Sequence, residues 1–333
     1  MVTIRQIYDL AIKLGTDNDL RGRAAVQRKL RRERQRFDKL SAEEQREYDR
    51  ENLVNPFSDT RMFTRHPETP VRRILAGIDI ETPELLLATE LARQGKPVDL
   101  VFSHHPIGHA LAGLHEVMHL QAEVLAGYGV PINVAESLMH IRMSEVSRSL
   151  DPYNHSRVTD AGEMLGLPLI CVHTPADNMV ASYLQRHIVR HRDIETVGDL
   201  LRSLKEIPEY RQAIDLKMGP TLYVGTPDRL TGKIALTEIT GGTDGSKEMY
   251  ERLSQAGVGT IVGMHMRDEY KKEAEKHHIS VVNAGHMSSD SLGVNLFLDE
   301  LERRGVEIVP CSGLIRVSRN RKRQPRPAKR RKR

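Results

Sequence analysis

Apolar residues along the chain fall into short runs separated by stretches of helical period, the pattern of alternating strands and helices. Ile4, Ile7, Leu10, Ile12 and Leu14 recur at roughly helical spacing and predict a helix between Thr3 and Gly15. Residues 21–50 predict a second helical stretch, with eleven basic and six acidic side chains and little apolar stripe beyond Leu30, Phe37 and Leu40. Such a helix is usually a solvated face or an oligomer contact, and only sometimes a nucleic-acid arm. Asn55-Pro56 then signals the turn into the globular body.

From Val71 the pattern becomes α/β. Ile74–Ile80 reads as a strand, and Thr82-Pro83-Glu84 as a helix start with Thr82 as its cap and Pro in the first turn. That helix runs to Gly95, and Asp99–Ser103 is the next strand. So short a crossover predicts a parallel pair with right-handed connection. The unit recurs as strand Lys233–Thr240, helix Ser246–Ala256 and strand Gly259–Gly263. Superposing the second strands sets Val101-Phe102-Ser103-His104-His105 over Ile261-Val262-Gly263-Met264-His265, and both copies end in histidine. The expected fold is therefore α/β, with two similar lobes and a cleft between them.

Between the units the reading is a helix at Leu114–Ala126, a strand at Pro131–Ala135, a helix at Ser137–Leu150 and a buried strand at Leu169–His173. Residues 182–232 read as helical and then extended. A charged helix (Arg267–His277), a strand (Ile279–Ala284), a helix (Ser288–Arg304) and a last strand (Glu307–Val317) follow. These elements divide the chain into a charged helical extension (1–55), a first lobe (56–190), a second lobe (191–318) and a basic tail (319–333).

Charge changes this picture in one respect. Ten of the fifty Lys and Arg residues lie in residues 319–333 without an acid, so the formal net charge of +5 becomes −5 for residues 1–318. A like-charged, Pro-containing tail buries nothing and is expected to be disordered, either as a solubilising extension or as a contact for nucleic acid. The absence of an 18-residue apolar run or a leader pattern predicts a protein without a membrane span or signal peptide. Two cysteines, Cys171 and Cys311, make neither a disulfide framework nor a thiolate zinc cage, which points to a reducing, cytoplasmic compartment. Trp is absent and aromatics are 4%, against a base-stacking platform.

Four clusters sit where strands end, the place where open α/β sheets bind ligands. Ser103-His104-His105-Pro106 puts two imidazoles at a turn, where they can serve one site and reach two metals. His173-Thr174-Pro175-Ala176-Asp177 and Gly285-His286-Met287-Ser288-Ser289-Asp290 each place His and Asp four apart as a helix begins. Asp177 reads equally as a first-turn acid favoured by the helix dipole. His265 is the fourth. Nitrogen and carboxylate donors without thiolate suit Zn, Fe, Mn or Ni. His109, His115 and His119 follow His105 at spacings that allow a helix face; His115 and His119 read as surface or supporting groups, and His277 and His278 as solvated. Gly241-Gly242-Thr243-Asp244-Gly245 reads as a strand-to-helix turn.

The order of His104-His105-Pro106, His173-Thr174-Pro175-Ala176-Asp177, a glycine-rich second lobe and Gly285-His286-Met287-Ser288-Ser289-Asp290 resembles the NGG-interacting-factor-three-like family, the dinuclear metal-centre proteins labelled GTP cyclohydrolase I type 2 homologues. The resemblance covers roughly residues 70–318. It implies two similar α/β lobes with a dinuclear metal site in the cleft, His104, His105, His173, Asp177, His286 and Asp290 as ligands of two divalent ions, and a toroidal homo-hexamer. The chain departs from the family pattern at Asp290, where Glu is usual, and at Met264-His265, where Gly and an acid are more common. The charged 21–50 segment and the basic tail are additions to it.

Two functions follow as expectations. One is a metal-dependent hydrolase using a metal-activated water on a small nucleotide-like or heterocyclic substrate, with His265, or Glu136 beside the strand at Pro131–Ala135, donating a proton to the leaving group. The other is a non-enzymatic metal-binding ring, an adaptor or regulatory scaffold whose basic arms contact nucleic acid.

Overall fold

Apolar runs buried on both faces make the central strands, as parallel sheets covered by helices on both sides require. The computed structural model describes residues 1–320. Its strands are β1 (Val2–Thr3), β2 (Arg61–Phe63), β3 (Pro70–Val71), β4 (Arg73–Gly77), β5 (Leu100–Ser103) and β6 (Leu169–Cys171). Then come β7 (Thr221–Val224), β8 (Lys233–Glu238), β9 (Val258–Gly263), β10 (Ser280–Asn283) and β11 (Glu307–Pro310). β1 and β3 form a two-stranded antiparallel ribbon. The others form a five-stranded sheet of order β11-β4-β5-β6-β2 and a four-stranded sheet of order β7-β10-β9-β8.

The α/β class and both parallel units are as expected. β4 pairs parallel with β5 across the helix Thr82–Arg93, and β8 with β9 across the helix Met249–Gln255. The repetition extends further than the sequence reading took it. β4-β5-β6 and β8-β9-β10 are parallel triplets in the same order, each with an antiparallel strand beside its last member, β2 in one sheet and β7 in the other. Each triplet feeds a long helix, Thr174–Arg190 after β6 and His286–Arg303 after β10. β11 adds to the first sheet alone, parallel to β4.

Those two helices lie at the centre. Val294, Phe297, Leu298 and Leu301 pack with Ala176 and Met179 against Ile74, Phe102 and Ile170 of the first sheet. Val180, Ala181, Leu184 and Leu292 of the same helices pack with Leu236, Val262 and Val282 of the second. The helix Ile4–Asp17, capped by Thr3, adds Ile4, Ile7, Tyr8 and Ala11 to the first core. The helices come close at Gly293, where a Cβ would stand 2.4 Å from the Ala176 carbonyl oxygen.

Several expectations are corrected. Pro131–Ala135 is not a strand: a helix starts at Ile132 and runs to Leu150. Ala135, Met139, Met143 and Val146, spaced four, four and three, form its buried stripe against the second sheet and override the short β-branched run. The 21–50 stretch breaks into helix Arg23–Phe37, one turn at Glu44–Glu47 and a 3₁₀ turn at Arg50–Leu53. The cap before Pro83 is Glu81 rather than Thr82, and the Glu81 amide donates to Glu84 Oε2 at 2.8 Å. β4 stops at Gly77 and β11 at Pro310, although the Cys311 amide still donates to the Ala76 carbonyl at 2.8 Å. Arg319, placed in the tail by sequence, pairs with the buried Glu209 at 2.7 Å. The rest of the basic tail, 321–333, lies outside the described residues.

Candidate metal centre

Every strand-end cluster lies on the carboxyl side of its sheet, and two sheets contribute to one site. β5 delivers His104 and His105, β6 delivers His173 and, one helical turn on, Asp177, and β10 delivers His286 and Asp290. The chain can turn into His286 because Gly285 adopts a φ of +96°, with its Cα so close to the Met218 carbonyl that a Cβ would sit 2.4 Å from that oxygen.

Ring centroids of His104 lie 5.3 Å from His105 and 5.0 Å from His173, and His105 lies 5.1 Å from His286. His104 Nε2 stands 3.5 Å from both Asp177 Oδ1 and Asp290 Oδ1. His105 Nε2 and His286 Nε2 stand 3.3 and 3.4 Å from Asp290 Oδ2. Three overlapping sets could hold a metal ion: His104 with His105 and His173, His105 with His286 and Asp290, and His104 with Asp177 and Asp290. Donor atoms within each set lie within 4.8 Å of one another.

The inner atoms of the cluster fit a cation better than they fit each other. His104 Nε2, Asp177 Oδ1 and both oxygens of Asp290 are buried without a hydrogen-bond partner. Buried groups of this kind are costly unless something of opposite polarity satisfies them. Two buried acids, two buried imidazoles and two partly exposed ones in one cluster suit divalent ions of the N/O-preferring kind.

The other ring nitrogens of His104, His105 and His173 are already engaged, which fixes these three imidazoles. His104 Nδ1 contacts the Val172 carbonyl oxygen at 3.0 Å, His105 Nδ1 contacts Asp79 Oδ1 at 2.6 Å, and His173 Nδ1 contacts Asp59 Oδ2 at 2.8 Å. Asp59 is fully buried, and Thr174 Oγ1 donates to the same oxygen at 2.6 Å. Nε2 of each ring is thereby left to face the cluster.

Electrostatics separate the members. Burial lifts the Asp177 carboxyl to about 6 against the pull of His173 and His104. Asp290 is equally buried, yet the imidazoles of His104, His105 and His286 hold it well below the usual carboxylate range. Burial opposes charge on His105, but Asp290 and Asp79 outweigh it and raise the imidazole to about 10. His286 is partly exposed, yet desolvation and the neighbouring imidazoles outweigh Asp290 and lower it to about 4.

His265 lies beside the cluster, its ring edge-on to His286 at 5.1 Å. Its Nδ1 is 2.5 Å from Asp244 Oδ1, and Arg267 Nε donates to the other oxygen of Asp244 at 2.9 Å. Desolvation works against the imidazolium, and Asp244 overcomes it, so the pKa of His265 is raised. Glu238, at the end of β8, is lifted by burial to about 7 and has an unpartnered Oε1. Glu136 is elsewhere: it is exposed on the helix Ile132–Leu150, lining a groove with Arg21, Arg28, Arg32 and Glu123. Gly241 and Gly242 form the turn after β8, both at positive φ, and Gln121 Nε2 donates to Gly241 O at 2.8 Å.

Asp59, Asp79, Asp244 and Glu238 are site residues that the motifs did not reveal. Asp79 carried a signal, a lone acid in the apolar strand end Ile78-Asp79-Ile80. Asp59 carried none, since its partner is 114 residues away.

Fold and site together define an α/β protein of two sheets that gather buried histidines and aspartates able to hold metal. It is similar to a NIF3 superfamily protein from Sphaerobacter thermophilus, at 28% identity and a TM-score of 0.68, over 77% of this chain and 92% of that one. The resemblance read from the motifs is thus matched in three dimensions. More distant matches are reduced HcgD from Methanocaldococcus jannaschii (14% identity, TM-score 0.49, 81% of this chain and 97% of that one) and a Bacillus cereus protein related to NIF3 (12%, 0.38, 76% and 89%). No protein-family model and no curated protein sequence matches the chain.

Proposed function

We propose that the protein is a dinuclear metal-dependent hydrolase, with His104, His105, His173, Asp177, His286 and Asp290 as ligands of two divalent ions. The observation that carries this reading is the convergence of four buried, unpartnered donor atoms from His104, Asp177 and Asp290. Three overlapping donor sets that share His104, His105 and Asp290 suit a pair of ions better than one. Bound there, two divalent ions would make water acidic near neutral pH and polarise a carbonyl, amidine or phosphoryl group. The chain's own part is orientation and proton handling. Asp59 and Asp79 hold His173 and His105, while His265, backed by Asp244, supplies a proton donor at the rim. A small nucleotide-like or heterocyclic substrate, of the type the GTP cyclohydrolase I type 2 label suggests, is the class to screen. Glu136 has no part in this mechanism.

Free thiols at Cys171 and Cys311 and the absence, among the described residues, of any helix long and apolar enough to cross a membrane are compatible with a cytoplasmic location. A homo-hexamer is the assembly we expect from the family resemblance.

The decisive experiment is elemental metal content per chain for the native protein and for His104→Ala combined with Asp177→Ala. Native protein should carry close to two ions and the variant markedly fewer. Equal content in both would sink the site. With the metal identified, turnover on panels of nucleotides, cyclic amides and phosphoesters tests the reaction.

A further inference from the structure

The helix Arg23–Phe37 is held to the body by one side only. Ala25 and Val26 are buried, Leu30, Glu33 and Phe37 are partly so, and Lys29 Nζ donates to the Pro56 carbonyl at 2.7 Å. Glu33, the one acid of this helix, is turned to that side and accepts from Tyr48 Oη at 2.9 Å. Phe37 and Tyr48 pack with ring centroids 5.2 Å apart. At 100° per residue, Arg28, Arg31, Arg32 and Arg34 spread over the opposite side, with Arg36 at its flank. All five are exposed, and none has a carboxylate within 4.0 Å among the described residues.

An ordinary solvated helix face mixes its charges, and this protein contains one for comparison. The helix Asp268–Lys276 pairs Lys272 with Asp268, Lys271 with Glu275 and Lys276 with Glu273. The helix Arg23–Phe37 does the reverse. Arg28 with Arg31 and Arg32, Arg31 with Arg34, and Arg32 with Arg36 stand three or four residues apart, each pair mildly destabilising to the helix. Stability does not account for that arrangement. Arg28 and Arg32 share a groove with Glu123 and Glu136, but no guanidinium on this face is paired with a carboxylate among the described residues, which leaves them open to an external row of phosphates that they can bind bidentately. The exposed side carries no large apolar residue, so it has nothing to insert into a lipid surface.

We infer that the arginine face of helix Arg23–Phe37 is a docking surface for the phosphodiester backbone of nucleic acid, independent of base sequence. This inference does not rest on the metal centre or on its reaction. Arginines along a helix contact phosphates rather than base edges unless they enter a groove, so affinity should depend on salt far more than on sequence.

The test uses the full chain, a 20-base-pair DNA duplex and an RNA duplex of the same length, with affinity measured across a range of salt. Changing Arg28, Arg31, Arg32 and Arg34 together to Gln should weaken duplex binding at least tenfold. It should also flatten the slope of log affinity against log salt by about 3 to 4 for DNA. The same four changed to Lys should keep most of the slope. Unchanged circular dichroism and metal content in the Gln variant would show that the loss is local. Duplex affinity and slope equal to the native protein overturn the inference, as does native protein that binds neither duplex. Binding to phosphatidylserine vesicles that falls with the Gln substitutions while duplex binding stays constant would assign the face to membranes and overturn it too.

Discussion

His173 offers one ring nitrogen to the cluster because Asp59 holds the other at 2.8 Å, while Thr174 holds the same carboxylate oxygen at 2.6 Å. A buried carboxylate behind an imidazole sets both the tautomer and the ring angle, and it raises the basicity of the free nitrogen. Asp59→Asn keeps the shape but can no longer accept in the same way. Metal affinity, measured by titration against a competing chelator, should therefore fall by about 10- to 100-fold. Affinity within twofold of native would mean that His173 needs no such support. The clusters around His104, His173 and His286 were legible because each is a local string at a strand end. Asp59 was not, because a hydrogen bond across 114 residues exists only once the fold brings the partners together.

At the level of elements, the site depends on two helices that carry Asp177 and Asp290 and cross at Gly293. A methyl group there would meet the Ala176 carbonyl at 2.4 Å and Val180 Cγ2 at 2.7 Å, and one of those neighbours is backbone. Gly293→Ala should destabilise the protein by about 1–3 kcal/mol, read from urea denaturation. It should also weaken metal binding, since separating the helices separates the carboxylates. Native stability together with native metal affinity would show that the crossing is not tight. Element types were largely readable from periodicity. Exceptions were the strand Arg61–Phe63, which the sequence reading passed over, and Pro131–Ala135, whose five residues looked extended until the stripe from Ala135 to Val146 placed them on a helix. Boundaries missed for local reasons, such as the Glu81 cap that displaces Thr82.

In the whole molecule, both sheets feed one cluster, so a metal held there would be coupled to the fold. An ion bound only by the native state adds RT ln(1 + [L]/Kd) to stability, about 2.7 kcal/mol at a hundredfold excess over Kd. Chelation should lower Tm, and re-addition of the native metal should restore it. A Tm that stays constant after metal loss has been verified would separate the cluster from the fold's stability. The two-unit α/β plan was visible in the sequence because strand, helix and strand recur. The equivalence of β6 with β10, and of their helices, was hidden by intervening segments of different length.

That equivalence has a consequence for the division of labour within the site. The strings His173-x-x-x-Asp177 and His286-x-x-x-Asp290 occupy the same position in the two sheets, so each half of the chain gives a matching hand to the cluster. The halves differ at the preceding strand end, where β5 is followed by His104-His105 and β9 by Met264-His265. Met264 is turned into the apolar core, and His265 stands outside the three donor sets, leaning on Asp244. The repeated plan thus has an asymmetric outcome: one half places four donor residues in the cluster, while the other places two and keeps His265 beside it. Asymmetry of that kind gives the cluster two unlike sides, one closed by ligand-type side chains and one lined by the His265 imidazole.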